Sequence, residues 1–491
     1  MAKLHRSLAY SAAQSYFSVA LQLVSTVVLS RVLTPAEVGV FAVASVFAAL
    51  ATNFRDFGIA EYLIQAKALS EQNIRAAFAV NIGTSWSMGL AMFLGSGWVG
   101  EFYRSDVIAD VMRVQSLNFL LIPFGAINMA WFRREMDFKP LFLSGILSDV
   151  LALAVAIGLA LHGFGPLSLA WSSFAGIVVT VAVSLYFRPP AFPRLPGLRG
   201  IGEVLRFGSF ASGIYVLGQL GKGAPEMIIG RVQGVADVAL FSRAGGLVQM
   251  FRQLVIKAIM PVCLPYFAQS VREEQNVNRA YMRGVAIFTV IGWTFLGFLA
   301  LAAFPAIRIV YGDQWAASVP LARILCIAGS IELVHYLAKE ALFANGQVKL
   351  ATRLQVLLQV AQVIGLAAVI PFGLPGACWG LLASALVGLA LSQWHLHTGT
   401  QFKLAQLWDA CRSSLLVTLL ALAPMLVAFV SIPATEANYL RYLLLGGTAT
   451  AGCWLLALRY SAHPLWAELA RAGAVVTSRL AQMTRREPRA R

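Results

Sequence analysis

The sequence predicts an all-α polytopic membrane protein of about 14 transmembrane helices: two six-helix lobes related by a parallel repeat, followed by two C-terminal helices. Three observations predict it. Only 12% of the 491 residues are charged and 59% are hydrophobic, whereas a soluble chain is about a quarter charged; the mean hydropathy is +0.73. Apolar stretches of about 20 residues or more recur from end to end, each long enough to cross roughly 30 Å of hydrocarbon as a helix. Finally, "SRVLTPAEVGVF" at 30–41 returns as "GRVQGVADVALF" at 230–241. Arg231, Val232, Ala236, Val238 and Phe241 each stand 200 positions after an identical residue, with Asp237 replacing Glu37. The ten-residue alternation that a membrane β-barrel needs is absent.

The N-lobe, 1–187, holds expected spans at 10–31, 38–57, 74–98, 108–131, 141–162 and 165–187. Lys3 and Arg6 precede the first stretch as they precede a signal peptide. The stretch continues to about residue 33, too long for a cleaved segment, and reads as a true span. The motif at 30–41 is then the turn between the first two helices, with Pro35 opening the second and Glu37 in its first turn. The segment "RPPAFPRLPGLRG" at 188–200 lacks helical periodicity and reads as a cytoplasmic linker. The C-lobe, 201–395, follows with spans at 205–230, 237–262, 281–304, 318–343, 350–371 and 374–394. Two helices, 411–431 and 438–459, occupy 408–460, and 461–491 forms a basic amphipathic cytoplasmic tail.

Basic residues gather in alternate short loops, among them Arg75, Arg133, Arg134, Lys139, Arg272, Arg279 and Lys349. This asymmetry puts both termini in the cytoplasm. It also explains the net charge of +16 without nucleic acid. Two weaker echoes support the repeat: "EQN" at 71–73 and 274–276, and "FGPLSLAW" at 164–171 against "FGLPGACW" at 372–379. An even number of crossings separates the copies, so the lobes are related by an axis along the membrane normal. The default transport route runs between them.

The 5 cysteines show neither metal-ligand spacing nor a disulfide framework. No Walker A loop, G-x-S-x-G, H-E-x-x-H or paired metal-binding carboxylates occur. The sequence therefore offers no catalytic residue, cofactor or metal site, and no ATP-driven pump.

Charges within spans are costly and usually face a cavity or a partner. Helix 7 carries Lys222 and Glu226 in "GQLGKGAPEMIIG", where glycines and Pro225 loosen the helix, and helix 8 carries Arg243, Arg252 and Lys257. Lys222 and Arg243 lie at similar depth below the turn at 231–236, so a Lys222–Glu226–Arg243 cluster is geometrically allowed. In the 200-residue register these three answer to Gln22, Thr26 and Val43, while helix 2 places Arg55 and Asp56 near its inner end. Unlike polar residues in two like lobes suit an asymmetric substrate. A net positive lumen suits an anionic group such as a diphosphate. The same residues also suit internal ion pairs, and Arg55, Asp56 and Lys257 suit interfacial snorkelling. Helix 10 carries Glu332, His335, Lys339 and Glu340, with His335 a possible proton relay. Asp149 in helix 5, beside Ser144 and Ser148, is suited to a coupling cation or proton; self-compensating packing is the alternative for both sets.

The stretches "SRVLTPAEVGVFAVASVFAALATNFRDFGIAEYLIQ" and "IIGRVQGVADVALFSRAGGL" resemble helices 1–2 and 7–8 of Wzx-type lipopolysaccharide and oligosaccharide flippases. These belong to the polysaccharide transporter family of the multidrug/oligosaccharidyl-lipid/polysaccharide exporter superfamily. Relatives often have Asp where this chain has Pro225-Glu226. The resemblance implies alternating access of an undecaprenyl-diphosphate-linked oligosaccharide across the bacterial inner membrane. In that reading Arg243, Lys222 and Arg252 attract the diphosphate and Glu226, Arg55 and Asp56 form state-dependent pairs. Expected partners are the lipid-linked oligosaccharide, membrane lipids, a polysaccharide polymerase and a chain-length regulator. The rivals are a cation-coupled multidrug exporter, which calls for an acidic lumen, a membrane-embedded glycan polymerase or ligase, which calls for a large outer loop, and a non-transporting scaffold.

Overall fold

The computed structural model describes residues 2–56, 58–65, 70–189, 192–193, 195–273, 277–431 and 438–471. Among them every regular element is helical. Hydrocarbon dictates this outcome, because a helix satisfies its own backbone polar groups. Among the described residues ten stretches are long and apolar enough to cross a membrane, and three of these, Asp106–Arg134, Ser318–Ala344 and Val348–Thr400, each hold two α-helices. The chain divides into two compact units, one running through Ser242 and including Val310–Trp315, the other comprising Arg243–Ile309 and the chain from Ala316.

The first unit is built from α1 (Ala2–Val32), α2 (Pro35–Asp56), α3 (Ile59–Gln65), α4 (Glu71–Tyr103), α5 (Asp106–Ser116), α6 (Asn118–Arg134), α7 (Phe138–Leu161), α8 (Pro166–Tyr186), α9 (Ile201–Val232) and the start of α10 (Val235–Phe251). α7 packs between α1 and α8, and α2 packs against α4, α5 and α9. The expected fourth span is two helices, α5 and α6, parted at Leu117. Pro225 was expected to loosen the seventh span, yet α9 runs through it without interruption. The 188–200 linker is non-helical where described, and it is packed down: Phe192 is buried against Trp131, and Gly197 N–H donates to Arg75 O at 3.0 Å.

The repeated turns meet in this unit. α2 starts at Pro35 with Glu37 in its first turn, as its sequence predicts. Thr34 N–H and Oγ1 donate to Glu37 Oε2 at 2.7 and 2.8 Å, which closes a capping box. Gly39 lies so close to the second turn that a Cβ there would sit 1.7 Å from Val235 O. Further down, Gly223 abuts Val46 and Gly230 abuts Val43 and Tyr103. The C-terminal carbonyls of α1 are answered by the segment 310–315: Gln314 Nε2 donates to Leu33 O at 3.1 Å and Trp315 Nε1 to Ser30 O at 2.8 Å.

The second unit holds the rest of α10, a π-helical turn at Arg252–Ile256, α11 (Lys257–Arg272), α12 (Val277–Leu301), α13 (Ala303–Tyr311), α14 (Ser318–His335), α15 (Ala338–Ala344), α16 (Val348–Val369), α17 (Gly373–Thr400), α18 (Leu404–Ser431) and α19 (Tyr439–Tyr460). α12 is central, packed against both α14 and α18, and α19 packs on α18. The expected tenth span is broken into α14 and α15, and the eighth is interrupted by the π turn. The second "EQN" at 274–276 and the tail from 472 lie outside the described residues.

Just beyond α19, His463 is 1% exposed. Its Nδ1 accepts from Leu465 N–H and its Nε2 meets Ser414 Oγ, each at 3.2 Å. Burial lowers its pKa to about 4 from the ordinary value of about 6.5.

Two predictions follow from this packing. Gly39→Ala forces two backbones apart and should cost about 1–3 kcal/mol, read as a lower melting midpoint in detergent. Gly95→Ala, where a Cβ meets nothing within 4 Å, should leave that midpoint unchanged. The unfolded chain protonates His463 at a pH where the fold still excludes the proton. Its contribution is therefore complete above about pH 6.5 and is lost as the pH falls toward 4, by at most about 3 kcal/mol. His463→Gln should flatten the melting profile over that range.

Candidate functional site

Arg252 stands where α10 gives way to the π turn. Such single turns recur at functional sites because they redirect the side chains that follow. Arg252 Nη2 pairs with Glu332 Oε2 on α14. The two side chains are 38% and 37% exposed, so the pair is open to competition. Phe251, Leu296, Leu333 and Tyr336 line a void of about 10 Å³ beside it. Gly329, three residues before Glu332, leaves room for Val248. A pair this exposed is worth about 1 kcal/mol or less. The guanidinium keeps further donors, which suit the oxygens of a phosphate.

Arg243 lies nine residues before Arg252, about 13.5 Å along the axis and half a turn around a straight helix. The two therefore do not share one face of α10. Lys222 and Glu226 lie on α9 in the first unit, and Arg243 begins the second. Lys222 is exposed, while Glu226 Oε2 is buried without a hydrogen-bond partner, and the two form no ion pair with each other in this structure. Arg55, buried at the end of α2, pairs with its exposed neighbour Asp56, and its carbonyl accepts from Thr84 Oγ1 at 3.2 Å.

Asp149 accepts a hydrogen bond of 2.5 Å from Ser18 Oγ on α1. The serines next to it in sequence are not its partners: Ser148 Oγ donates to Gly176 O at 2.9 Å. A cavity of about 310 Å³ opens beside the pair, lined by Ser18, Gln22, Ser25, Leu153 and Ser172 among others. Gln22 is the residue that the 200-residue register matches to Lys222. The expected shared face of Glu332, His335 and Lys339 does not form, because α14 ends at His335. Glu332 turns to Arg252, buried His335 Nδ1 meets Ser392 Oγ at 3.3 Å, and Lys339 pairs with Glu340 at 3.6 Å.

Two partners, Glu332 for Arg252 and Ser18 for Asp149, were missed by sequence reasoning. Depth could have found both. Ser18 and Asp149 lie 14 and 12 residues before the ends of α1 and α7. Arg252 and Glu332 lie 17 and 14 residues after the starts of α10 and α14.

A family profile described as "Polysaccharide biosynthesis protein" matches residues 28–320. The chain is 24% identical over 355 residues to the lipopolysaccharide biosynthesis protein WzxC of Escherichia coli (strain K12), which covers 71% of each chain. It is 24% identical over 327 residues to the succinoglycan biosynthesis transport protein ExoT of Rhizobium meliloti (strain 1021), covering 66% of each. Its fold is that of the lipid II flippase MurJ in an inward closed conformation, with a TM-score of 0.71 over 92% of this chain and 99% of that one. At 11% identity that likeness is one of fold. A multi-pass, all-helical membrane protein, this chain belongs to the polysaccharide biosynthesis protein family.

Proposed function

We propose that the protein is a flippase that moves an undecaprenyl-diphosphate-linked oligosaccharide across the bacterial cytoplasmic membrane by alternating access. It supplies surface polysaccharide synthesis, either of O-antigen or of exopolysaccharide. The observation that carries this reading is the half-exposed Arg252–Glu332 pair beside the π turn. Arg252 receives the diphosphate, which displaces Glu332, and Glu332 reclaims the cation when the substrate leaves. Binding is thereby an exchange of counter-ions, and no lone charge is left in a dry site. Arg243 forms a second positive level about 13.5 Å from Arg252 along α10, which the diphosphate meets later in its passage, and Lys222 on α9 is a further cation that attracts it. Glu226 and the Arg55–Asp56 pair change partners as the lobes, 1–187 and 201–395, alternate. Both termini face the cytoplasm, and a polymerase and chain-length regulator act on the delivered product.

In this reading Asp149 couples transport to a cation. Its carboxylate, Ser18 and Gln22 beside a cavity of about 310 Å³ are chemistry suited to a proton or sodium ion. His335, buried against Ser392, holds its helix end.

Flipping of a lipid-diphosphate oligosaccharide into reconstituted vesicles tests these assignments. At matched abundance, Arg252→Ala should slow flipping by about 10- to 100-fold, the worth of a charge-assisted contact. Glu332→Gln should bind substrate more tightly and release it more slowly. Arg243→Ala and Lys222→Ala should each reduce turnover; normal turnover in both would remove the second level from the path. Asp149→Asn should abolish the response of flux to imposed proton or sodium gradients while downhill flipping persists. An unchanged gradient response would remove Asp149 from coupling.

A further inference from the structure

Two interruptions of the helical ladder in the second unit border one void. Arg252 opens the π turn after α10, and Tyr336 stands where α14 gives way to α15. Tyr336 keeps helical dihedrals, φ −56° and ψ −37°, so it stays one turn after Glu332 on the same side of α14. Arg252, Glu332 and Tyr336 all line the void of about 10 Å³. The charges of Arg252 and Glu332 both reach the Tyr336 hydroxyl.

The ring is held in place while its hydroxyl is left to bond. Phe288 on α12, itself 2% exposed, stacks on Tyr336 with centroids 6.3 Å apart and planes inclined by 22°. Just before Tyr336 in sequence, Val334 O, one of the last carbonyls of α14, accepts from Tyr281 Oη at 3.2 Å. Just after it, buried Leu337 presses on Gly284, where a Cβ would fall 2.8 Å from Leu337 Cδ1. Tyr281, Gly284 and Phe288 are successive turns of α12, so one helix fixes the whole break. Tyr336 itself is half-buried, and its Oη is neither hydrogen-bonded among the described residues nor closed off.

The size and chemistry of the void decide what it accepts. A volume of about 10 Å³ holds one water-sized group, so it takes a single oxygen and not a sugar ring. Six of its nine lining residues are apolar or glycine. Of the other three, the Glu332 carboxylate only accepts, which leaves Arg252 and Tyr336 as the side-chain donors. An oxygen that displaces Glu332 from Arg252 therefore meets one cationic and one neutral donor. That combination suits a phosphoryl oxygen, because hydrogen bonds to an anion are the strong ones and apolar walls strengthen them further.

We propose that Tyr336 contacts the substrate: its hydroxyl donates to one phosphoryl oxygen of the lipid diphosphate while Arg252 holds the same phosphate. This assignment rests on the flippase reading and adds the second donor of its phosphate seat. Stacking on Phe288 positions the hydroxyl beforehand, so little rotamer freedom is lost on binding. A neutral donor also leaves no uncompensated charge behind when the substrate departs and Glu332 returns to Arg252.

Binding of undecaprenyl diphosphate to the full chain in phosphatidylcholine nanodiscs tests the proposal. Tyr336→Phe keeps the ring and its stack on Phe288, so its melting midpoint should match that of the wild type. It should bind about 10-fold more weakly, the loss of one hydrogen bond to a charged group. The same substitution made in Arg252→Gln should cost clearly less, because the two donors hold one phosphate. Phe288→Leu, which keeps the hydroxyl and frees the ring, should weaken binding by a smaller factor than Tyr336→Phe. Wild-type affinity in Tyr336→Phe with loss in Arg252→Gln overturns the proposal and leaves the flippase reading standing. An equal loss from Tyr336→Phe in both backgrounds also overturns it, since the hydroxyl would then act away from the phosphate that Arg252 holds. A wild type that binds no undecaprenyl diphosphate overturns both readings.

Discussion

Hydrocarbon offers no partner to a peptide N–H or C=O, so in this protein each backbone group must find its partner within the chain. Long helices solve the problem along their length and leave it unsolved at their ends. The turn at 30–41 shows how those ends are closed. Thr34 and Glu37 answer the first donors of α2, while Gln314 and Trp315, nearly 300 residues away in sequence, answer the last acceptors of α1. Glycine makes the neighbouring backbones close enough for this: at Gly39 a Cβ would fall 1.7 Å from Val235 O. A transporter that separates its helices during a cycle has to break such contacts without exposing bare polar groups to lipid, and short turns in reach of water are where that is least costly.

The same constraint governs charge. Arg252 is answered by Glu332, Asp149 by Ser18 and Arg55 by Asp56. These differ in exposure, and exposure decides what each can do. The guanidinium of Arg55 is buried, whereas the Arg252–Glu332 pair is half-exposed and correspondingly weak. Among the described residues Arg323 is answered by the Phe429 ring and by no acid.

The helical architecture was legible because the physics that selects it is local. Each expected span falls on helix, and the capping box at Thr34 and Glu37 follows from four consecutive residues. Interruptions were harder to read. Pro225 suggested a loosened helix and α9 passes through it, whereas the breaks at Leu117 and after His335 and the π turn at Arg252 carry no proline or paired glycines at the break. The polar sites were legible in kind and not in pairing: Arg252, Glu332 and Asp149 stood out as charges inside spans. Their partners are 80 and 131 residues away in sequence.

By itself the sequence determined that this chain lies in a membrane, where its helices run and where its repeated turns stand, because hydropathy, loop charge and capping act over a few residues. Only the tertiary structure decided which charge meets which and where helices break. Those outcomes depend on the depth and rotation of helices relative to one another, and a long-range contact between two side chains leaves no mark in the residues beside either of them.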